Sequence, residues 1–209
     1  MTRITAIIAA VVVVALTAGV YVFTMMGRSD DKFAQCRAGA VAGGSGQIGG
    51  PFTLVDETGA TVTDADVITE PTLIYFGYTY CPDICPYDAA RNAEAVTLLE
   101  DRGMSVKPVF ISIDPERDTP EQLADFTDYL HPRMLGLTGS PEQVAEASKA
   151  YRTYYKKQPS SDGDDDYYLV DHSTFSYLTL PDEGFVDFFR RDVTADQMAD
   201  RIACFVDAS

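Results

Sequence analysis

At 209 residues the chain has room for one domain with additions, not for two full domains. A hydrophobic content of 46% with 23% charged residues is apolar enough to bury a core, which excludes wholesale disorder. Sixteen basic against 32 acidic residues give a net charge of −16, a field that repels phosphate backbones and argues against nucleic acid as a partner.

The chain opens on Ile4 to Met26, 23 residues without a charge and rich in Val, Ala and Ile. As a helix this run spans a hydrocarbon core of about 30 Å. A cleaved signal peptide is the alternative, with small residues around Ala15-Leu16-Thr17-Ala18. A secretory core is shorter than this run, so a single-pass anchor is expected. The short N-terminus, residues 1–3, stays in the cytoplasm and the acidic body is exported, placing the C-terminal domain in the periplasm of a bacterial inner membrane.

Residues 27–50 read as a linker, since Ala38 to Gly50 is dominated by Gly and Ala. The folded domain is expected over 51–209. Phe52-Thr53-Leu54-Val55-Asp56 alternates like a strand, followed by a Glu57-Thr58-Gly59 turn. Thr72 to Tyr78 is a buried strand by its continuous apolar and aromatic content. Ala89, Ala93, Val96 and Leu99 then recur at helical spacing, with Gly103 as the stop, and Val106 to Ile113 is a second buried strand.

Thr119, Ser140 and Thr194 each precede a Gln by three residues, the reciprocal capping signature of a helix start. Pro120 and Pro141 take the first helical position, where a missing N–H costs nothing. The buried faces are Leu123, Phe126 and Leu130; Val144, Ala147, Tyr151 and Tyr154; and Met198, Ile202 and Phe205. Tyr167–Val170 with Phe175–Leu180, and Phe185–Phe189 after a Pro181 to Gly184 turn, are the remaining strands. Ser160 to Asp166 opens like a calcium loop, but Tyr167 and Ser173 stand where Gly and Glu are needed, so it reads as a solvated acidic loop. Strand–helix–strand–helix followed by a hairpin and a closing helix is the order of a thioredoxin-like α/β sheet flanked by helices.

Four cysteines in an exported chain invite pairing. Cys36 and Cys204 lie near the two ends of the exported part. The preferred reading is a structural bridge between them, with two unrelated buried thiols as the alternative. Cys81 and Cys85 are left for chemistry. Tyr80-Cys81-Pro82-Asp83-Ile84-Cys85-Pro86 sits where a buried strand ends and a helix begins. Pro86 disfavours helical geometry at Cys85, which places Cys85 beside the helix start, where free N–H groups favour a thiolate.

Two thiols with three residues between them close a disulfide or chelate a soft cation. The borderline ligands that would complete a metal site are His131 and His172, the two histidines of the chain. His131, at the end of a helix, reads as a cation complementing the dipole. His172 lies between two strands, on a connection near the cysteines, either as a ligand or as a surface or satisfied core histidine. Two thiolates and an imidazole would suit Cu(I), whereas structural zinc takes four protein ligands; Cu(II) would recruit a water or a carboxylate. Asp88 and Ala89 exclude the Cys-x3-Cys-x3-His pattern of a dinuclear copper centre, and no Cys-x-x-Cys-His haem site occurs. Asp114-Pro115 and Arg117-Asp118 are chiefly turn chemistry, with Asp114 a candidate for orienting the site. Asp171 is a candidate partner for His172.

Cys81-Pro82-Asp83-Ile84-Cys85-Pro86, Ser112 to Pro120 and Tyr168-Leu169-Val170-Asp171-His172-Ser173, in that order, resemble the Sco/SenC family. Its members are membrane-anchored, thioredoxin-like copper proteins that help assemble cytochrome c oxidase. The resemblance runs from about Gly49 to the last helix and implies copper ligands Cys81, Cys85 and His172. It implies delivery to the dinuclear copper site of oxidase subunit II, with an upstream copper donor and a thiol reductant as further partners. The alternative is an enzyme, a thiol–disulfide reductase using Cys81 and Cys85 as its redox pair to keep the acceptor cysteines reduced. Against it, no Pro immediately precedes Phe175–Leu180 and the cysteine spacing is three rather than two. A peroxidase based on Thr79 fails by one residue of spacing.

Overall fold

The computed structural model describes residues 2–26, 32–37, 48–159 and 168–209, in two compact units, Met1–Gln35 and Cys36–Ser209. The expectations for residues 27–31, the Gly/Ala-rich stretch 38–47, the acidic loop 160–166 and the strand start at Tyr167 lie outside the described residues. The first unit contains helix α1 (Thr2–Met26), whose Ile4–Val22 segment is long and apolar enough to cross a membrane. Its polar Thr17 hydroxyl is satisfied within the helix, donating to the Val13 carbonyl at 3.0 Å.

The second unit runs β1 (Thr53–Asp56), β2 (Thr61–Thr63), α2 (Asp64–Val67), β3 (Thr72–Gly77), α3 (Ile84–Asp101), β4 (Lys107–Ser112), α4 (Pro120–Leu130), β5 (Leu135–Thr138), α5 (Pro141–Ala150), β6 (Tyr155–Lys157), β7 (Val170–His172), β8 (Ser176–Leu180), β9 (Gly184–Phe189) and α6 (Ala195–Asp207). One sheet has the order β2-β1-β5-β4-β3-β8-β9, and β6-β7 form a separate ribbon. Helices α3 and α4 connect β3, β4 and β5, and such crossovers make neighbouring strands parallel, as observed. β8 and β9 add antiparallel, giving the thioredoxin-like sheet.

All six residues of β3 are buried, because β4 and β8 pair with its two edges and helices cover the sheet. Its last residue must be Gly77: a Cβ there would come within 2.9–3.0 Å of the Tyr75 and Phe110 rings. The core is aromatic, with Tyr75, Phe76, Phe110, Tyr151, Phe189 and Phe205 all under 2% exposed.

The capping boxes form at all three expected starts; Thr119, Ser140 and Thr194 each accept the N–H of the Gln three residues on. Gly103, at φ 79, stops α3 in the left-handed conformation that glycine adopts without strain. α5 ends one turn earlier than its apolar pattern suggests. Arg152 turns left-handed at φ 52, its N–H bonds the Lys149 carbonyl and that of Thr153 bonds Ser148, so Tyr154 is thrown out to solvent. The strand expected at 167–170 does not pair with Phe175–Leu180: β7 pairs with β6, opposing His172 to Tyr155 and Val170 to Lys157.

Cys36 and Cys204 are joined in a disulfide, with Cα atoms 5.6 Å apart. Cys36, inside the segment expected as linker, is therefore buried in the folded unit.

Candidate metal centre

Three segments converge at the C-terminal end of β3. After Gly77 the chain turns through Tyr78-Thr79-Tyr80 to Cys81, enters α3 at Ile84, and meets the open end of the β6-β7 ribbon at His172. The sulfurs of Cys81 and Cys85 and a ring nitrogen of His172 lie within 4.8 Å of one another. Both cysteines are buried, unpaired thiols and His172 is half-buried. Beside them opens a hollow of about 310 Å³ lined partly by Tyr78, Cys81, Leu169 and His172.

Cys85 lies within the first turn of α3, not beside it. Pro86 falls at the third helical position, where its missing N–H has no intrahelical partner to lose. The cap of this helix is unusual. Asp83 occupies the N-cap position without a side-chain cap bond, and the Cys81 sulfur takes that role, accepting the Cys85 N–H at 3.3 Å. The thiolate favoured at this helix start is accordingly that of Cys81. The Cys85 side chain beside it, then His172 and the Cys85 and Asp83 N–H groups, outweigh burial and pull the Cys81 thiol down to about 3. Cys85 goes the other way: burial, reinforced by the neighbouring Cys81 sulfur, pushes its thiol up.

His172 is oriented by its own backbone. Nδ1 lies 2.8 Å from the Ser173 carbonyl, an acceptor, so Nδ1 carries the proton. That leaves the Nε2 lone pair aimed at Cys85 Sγ, 3.2 Å away. The Tyr75 and Tyr78 rings hold the imidazole edge-on, with centroids 6.2 and 5.9 Å from it. The Tyr78 hydroxyl accepts the Val170 N–H at 3.2 Å and ties the ribbon to the sheet.

Asp171 does not serve His172. Alternation along β7 turns its side chain out to solvent, where its carboxylate accepts from Gln158. Asp114 is buried and also stands off the three donors: it accepts the Tyr168 hydroxyl at 2.6 Å and Arg117 Nε at 2.6 Å. Arg117 in turn covers the Tyr168 ring at 3.6 Å. Asp114 therefore braces the ribbon that carries His172. His131 caps α4 and is buried, its Nδ1 accepting the Arg133 N–H at 3.1 Å and its Nε2 lying 3.4 Å from Glu100, away from the three donors.

Two further carboxylates escaped the reading by motif. Asp118 is buried and accepts Thr79 N–H, Thr79 Oγ1 and Ser112 Oγ, fixing the loop that leads to Cys81. Burial raises its pKa, against the pull of those donors. Asp88, one turn beyond Cys85, accepts the Tyr75 hydroxyl at 3.1 Å behind the site. Asp118 follows Arg117 and Asp88 stands three residues before Arg91, so both look like solvated turn or helix-face residues; only their tertiary donors reveal them.

Two soft sulfurs and one imidazole nitrogen are a donor set for a thiophilic cation, and among the described residues this is the one such cluster. Residues 41–207 match the model of the SCO1/SenC family. Protein SenC of Rhodobacter capsulatus is 56% identical over 200 residues, covering 96% of this chain and 87% of that protein. The crystal structure of Arabidopsis thaliana ScoI with copper bound has a TM-score of 0.70 and 42% identity, covering 76% of this chain and 98% of that one. The structure of Bradyrhizobium japonicum ScoI with copper bound has a TM-score of 0.66 and 40% identity, over 75% and 98% of the two chains. The mitochondrial SCO1 homolog 1 of Arabidopsis thaliana is longer, and this chain spans 47% of it. With the family match covering residues 41–207, well over half of the chain, the chain belongs to the SCO1/SenC family.

Proposed function

We propose that this protein is a copper metallochaperone for the assembly of cytochrome c oxidase, with Cys81, Cys85 and His172 as copper ligands. The observation that carries the reading is the clustering of two thiols and an imidazole lone pair within 4.8 Å, on a scaffold shared with copper-bound Sco structures. Copper is the cargo. Three donors leave the coordination open, so an acceptor thiol can enter and the metal can pass by ligand exchange. The acceptor is the dinuclear copper site of oxidase subunit II; an upstream donor loads this chain, and a thiol reductant keeps Cys81 and Cys85 reduced, since a Cys81–Cys85 disulfide cannot bind the metal.

Residues 4–26 act as the anchor in a bacterial inner membrane, 27–50 as a tether pinned to the domain by the Cys36–Cys204 bridge, and 51–209 as the periplasmic copper domain. Thiol–disulfide reduction of the acceptor is the second reading, favoured by the lowered Cys81 thiol.

Copper stoichiometry separates the two. The reduced full chain in detergent is loaded with Cu(I) or Cu(II) and dialysed against a competing chelator, beside Cys81→Ser and His172→Ala. One copper retained by the wild type and lost by both variants supports delivery. No retained copper, with rapid reduction of a partner disulfide that survives His172→Ala, assigns the protein to the reductases instead.

A further inference from the structure

On the flank of the metal centre lies a hollow of about 530 Å³ lined by Thr174, Phe175, Phe188, Arg190, Arg191 and Asp192. Phe175, three residues past His172, is 37% exposed and meets Phe188 edge-to-face with centroids 5.1 Å apart. An aromatic pair left partly in water marks a contact surface rather than a core.

The rim is basic in a chain whose net charge is −16. Arg190 and Arg191 follow β9, and each is tethered through one nitrogen. Arg191 Nε donates to buried Asp88 at 3.3 Å, and Arg190 Nε lies 3.5 Å from Asp192. Arg91 Nη1 holds the Arg190 carbonyl at 3.1 Å and so fixes the backbone between them. Among the described residues, the terminal Nη1 and Nη2 of Arg190 and Arg191 make no hydrogen bond. That pair of nitrogens is the edge of a guanidinium that meets a carboxylate side by side. A stem fixed through Nε loses little freedom when the fork is filled.

We propose that this hollow is the docking surface for the copper acceptor, and that it takes an acidic segment of that protein. Carboxylates of the segment fill the Arg190 and Arg191 forks, and one apolar side chain covers the Phe175–Phe188 pair. The proposal rests on the copper-delivery reading. A protein fits better than an anionic membrane. Asp192 stands within the patch, the rest of the chain repels an extended anionic surface, and the hollow adjoins the segment that carries His172.

The test follows Cu(I) transfer from the loaded full chain in zwitterionic detergent to the apo copper domain of oxidase subunit II, at low and high salt. Arg190→Glu, 70% exposed at its side chain, and Phe175→Ala are compared with the wild type. Wild-type transfer slows as salt rises. Arg190→Glu is slower by about tenfold at low salt and loses most of that salt dependence, Phe175→Ala is slower by several-fold, and both retain one copper. Variants that transfer at the wild-type rate overturn the docking surface and leave delivery standing. A wild type that transfers nothing overturns delivery to this acceptor and the docking surface with it. Phosphatidylglycerol added to the micelles that blocks wild-type but not Arg190→Glu transfer at constant salt assigns the patch to lipid and overturns the proposal.

Discussion

Cys81 and Cys85 share one motif and one turn of chain, yet the fold gives them opposite chemistry. The Cys81 sulfur lies across the start of α3, where backbone N–H groups point at it, whereas Cys85 is fully enclosed beside Tyr75 and His172. Under the copper-delivery proposal, Cys81 is the thiolate that would meet an incoming metal or disulfide, and Cys85 the thiol that would give up its proton to the metal. With its thiol held down to about 3, Cys81 stays ionised from pH 5 to 8. An ordinary cysteine, with a pKa of about 8.5, loses about tenfold in thiolate for each pH unit over that range. Iodoacetamide labelling of the reduced protein, read by peptide mass, is expected to modify Cys81 first and at a rate nearly flat from pH 5 to 8. A rate rising tenfold per unit would show that Cys81 is an ordinary thiol. The stability sign follows from the same shift. A depressed folded value contributes stability that is complete above the unfolded thiol value and is lost as pH falls towards about 3.

The metal centre depends on two connections between elements, the turn from β3 into α3 and the β6-β7 ribbon. Neither is held by apolar packing alone. Asp118, at the end of the connection from β4 into α4, accepts three hydrogen bonds from Thr79 and Ser112 and so joins the ends of β3 and β4 under the cysteines. Asp118→Ala leaves the Thr79 N–H and two hydroxyls without their acceptor. A loss of about 2–3 kcal/mol is expected in urea unfolding, with weaker copper retention by the molecules that remain folded. An unchanged midpoint would mean that the loop holds its shape without the carboxylate. The sequence makes the outer frame of this arrangement legible. The three capping boxes, the apolar runs of β3 and β4 and the Gly103 stop depend on residues close in the chain. Legibility ends where tertiary pairing decides. β5 is four residues containing a glycine, and β6 ends in two exposed lysines, so neither carries an apolar signature of its own. β7 found its partner in β6 because Tyr78, Tyr168 and Asp114 hold the ribbon beside the cysteines, contacts that no local pattern records. Cys81 and Cys85 are legible by residue type and position, and His172 only through the family resemblance; Asp118 and Asp88, which support them, are hidden among ordinary turn and helix-face acids.

At the scale of the whole molecule, the four cysteines divide the work between holding the fold and doing the chemistry. The Cys36–Cys204 bridge closes a separation of 168 residues, joining the start of the second unit to its last helix. A loop of that length gives the bridge about 5 kcal/mol in the chain-entropy account, because the unfolded chain loses most of its freedom to separate its ends. Helix α6 already packs through Met198, Ile202 and Phe205 and against α3, so the bridge reinforces a helix that is seated on its own apolar face. The metal donors lie at the other end of the covalent argument: their positions are set by β3, α3 and the β6-β7 ribbon, and none of those elements contains Cys36 or Cys204. Replacing both cysteines, as Cys36→Ser with Cys204→Ser, is therefore expected to lower unfolding stability by up to about 5 kcal/mol. Copper retained per folded molecule stays at the wild-type value. Urea unfolding and chelator dialysis on the same preparation check the two halves together. Loss of copper at denaturant concentrations where the variant is still folded would show that the bridge shapes the metal centre as well as the chain ends. Retention with a lowered midpoint would confine the bridge to stability.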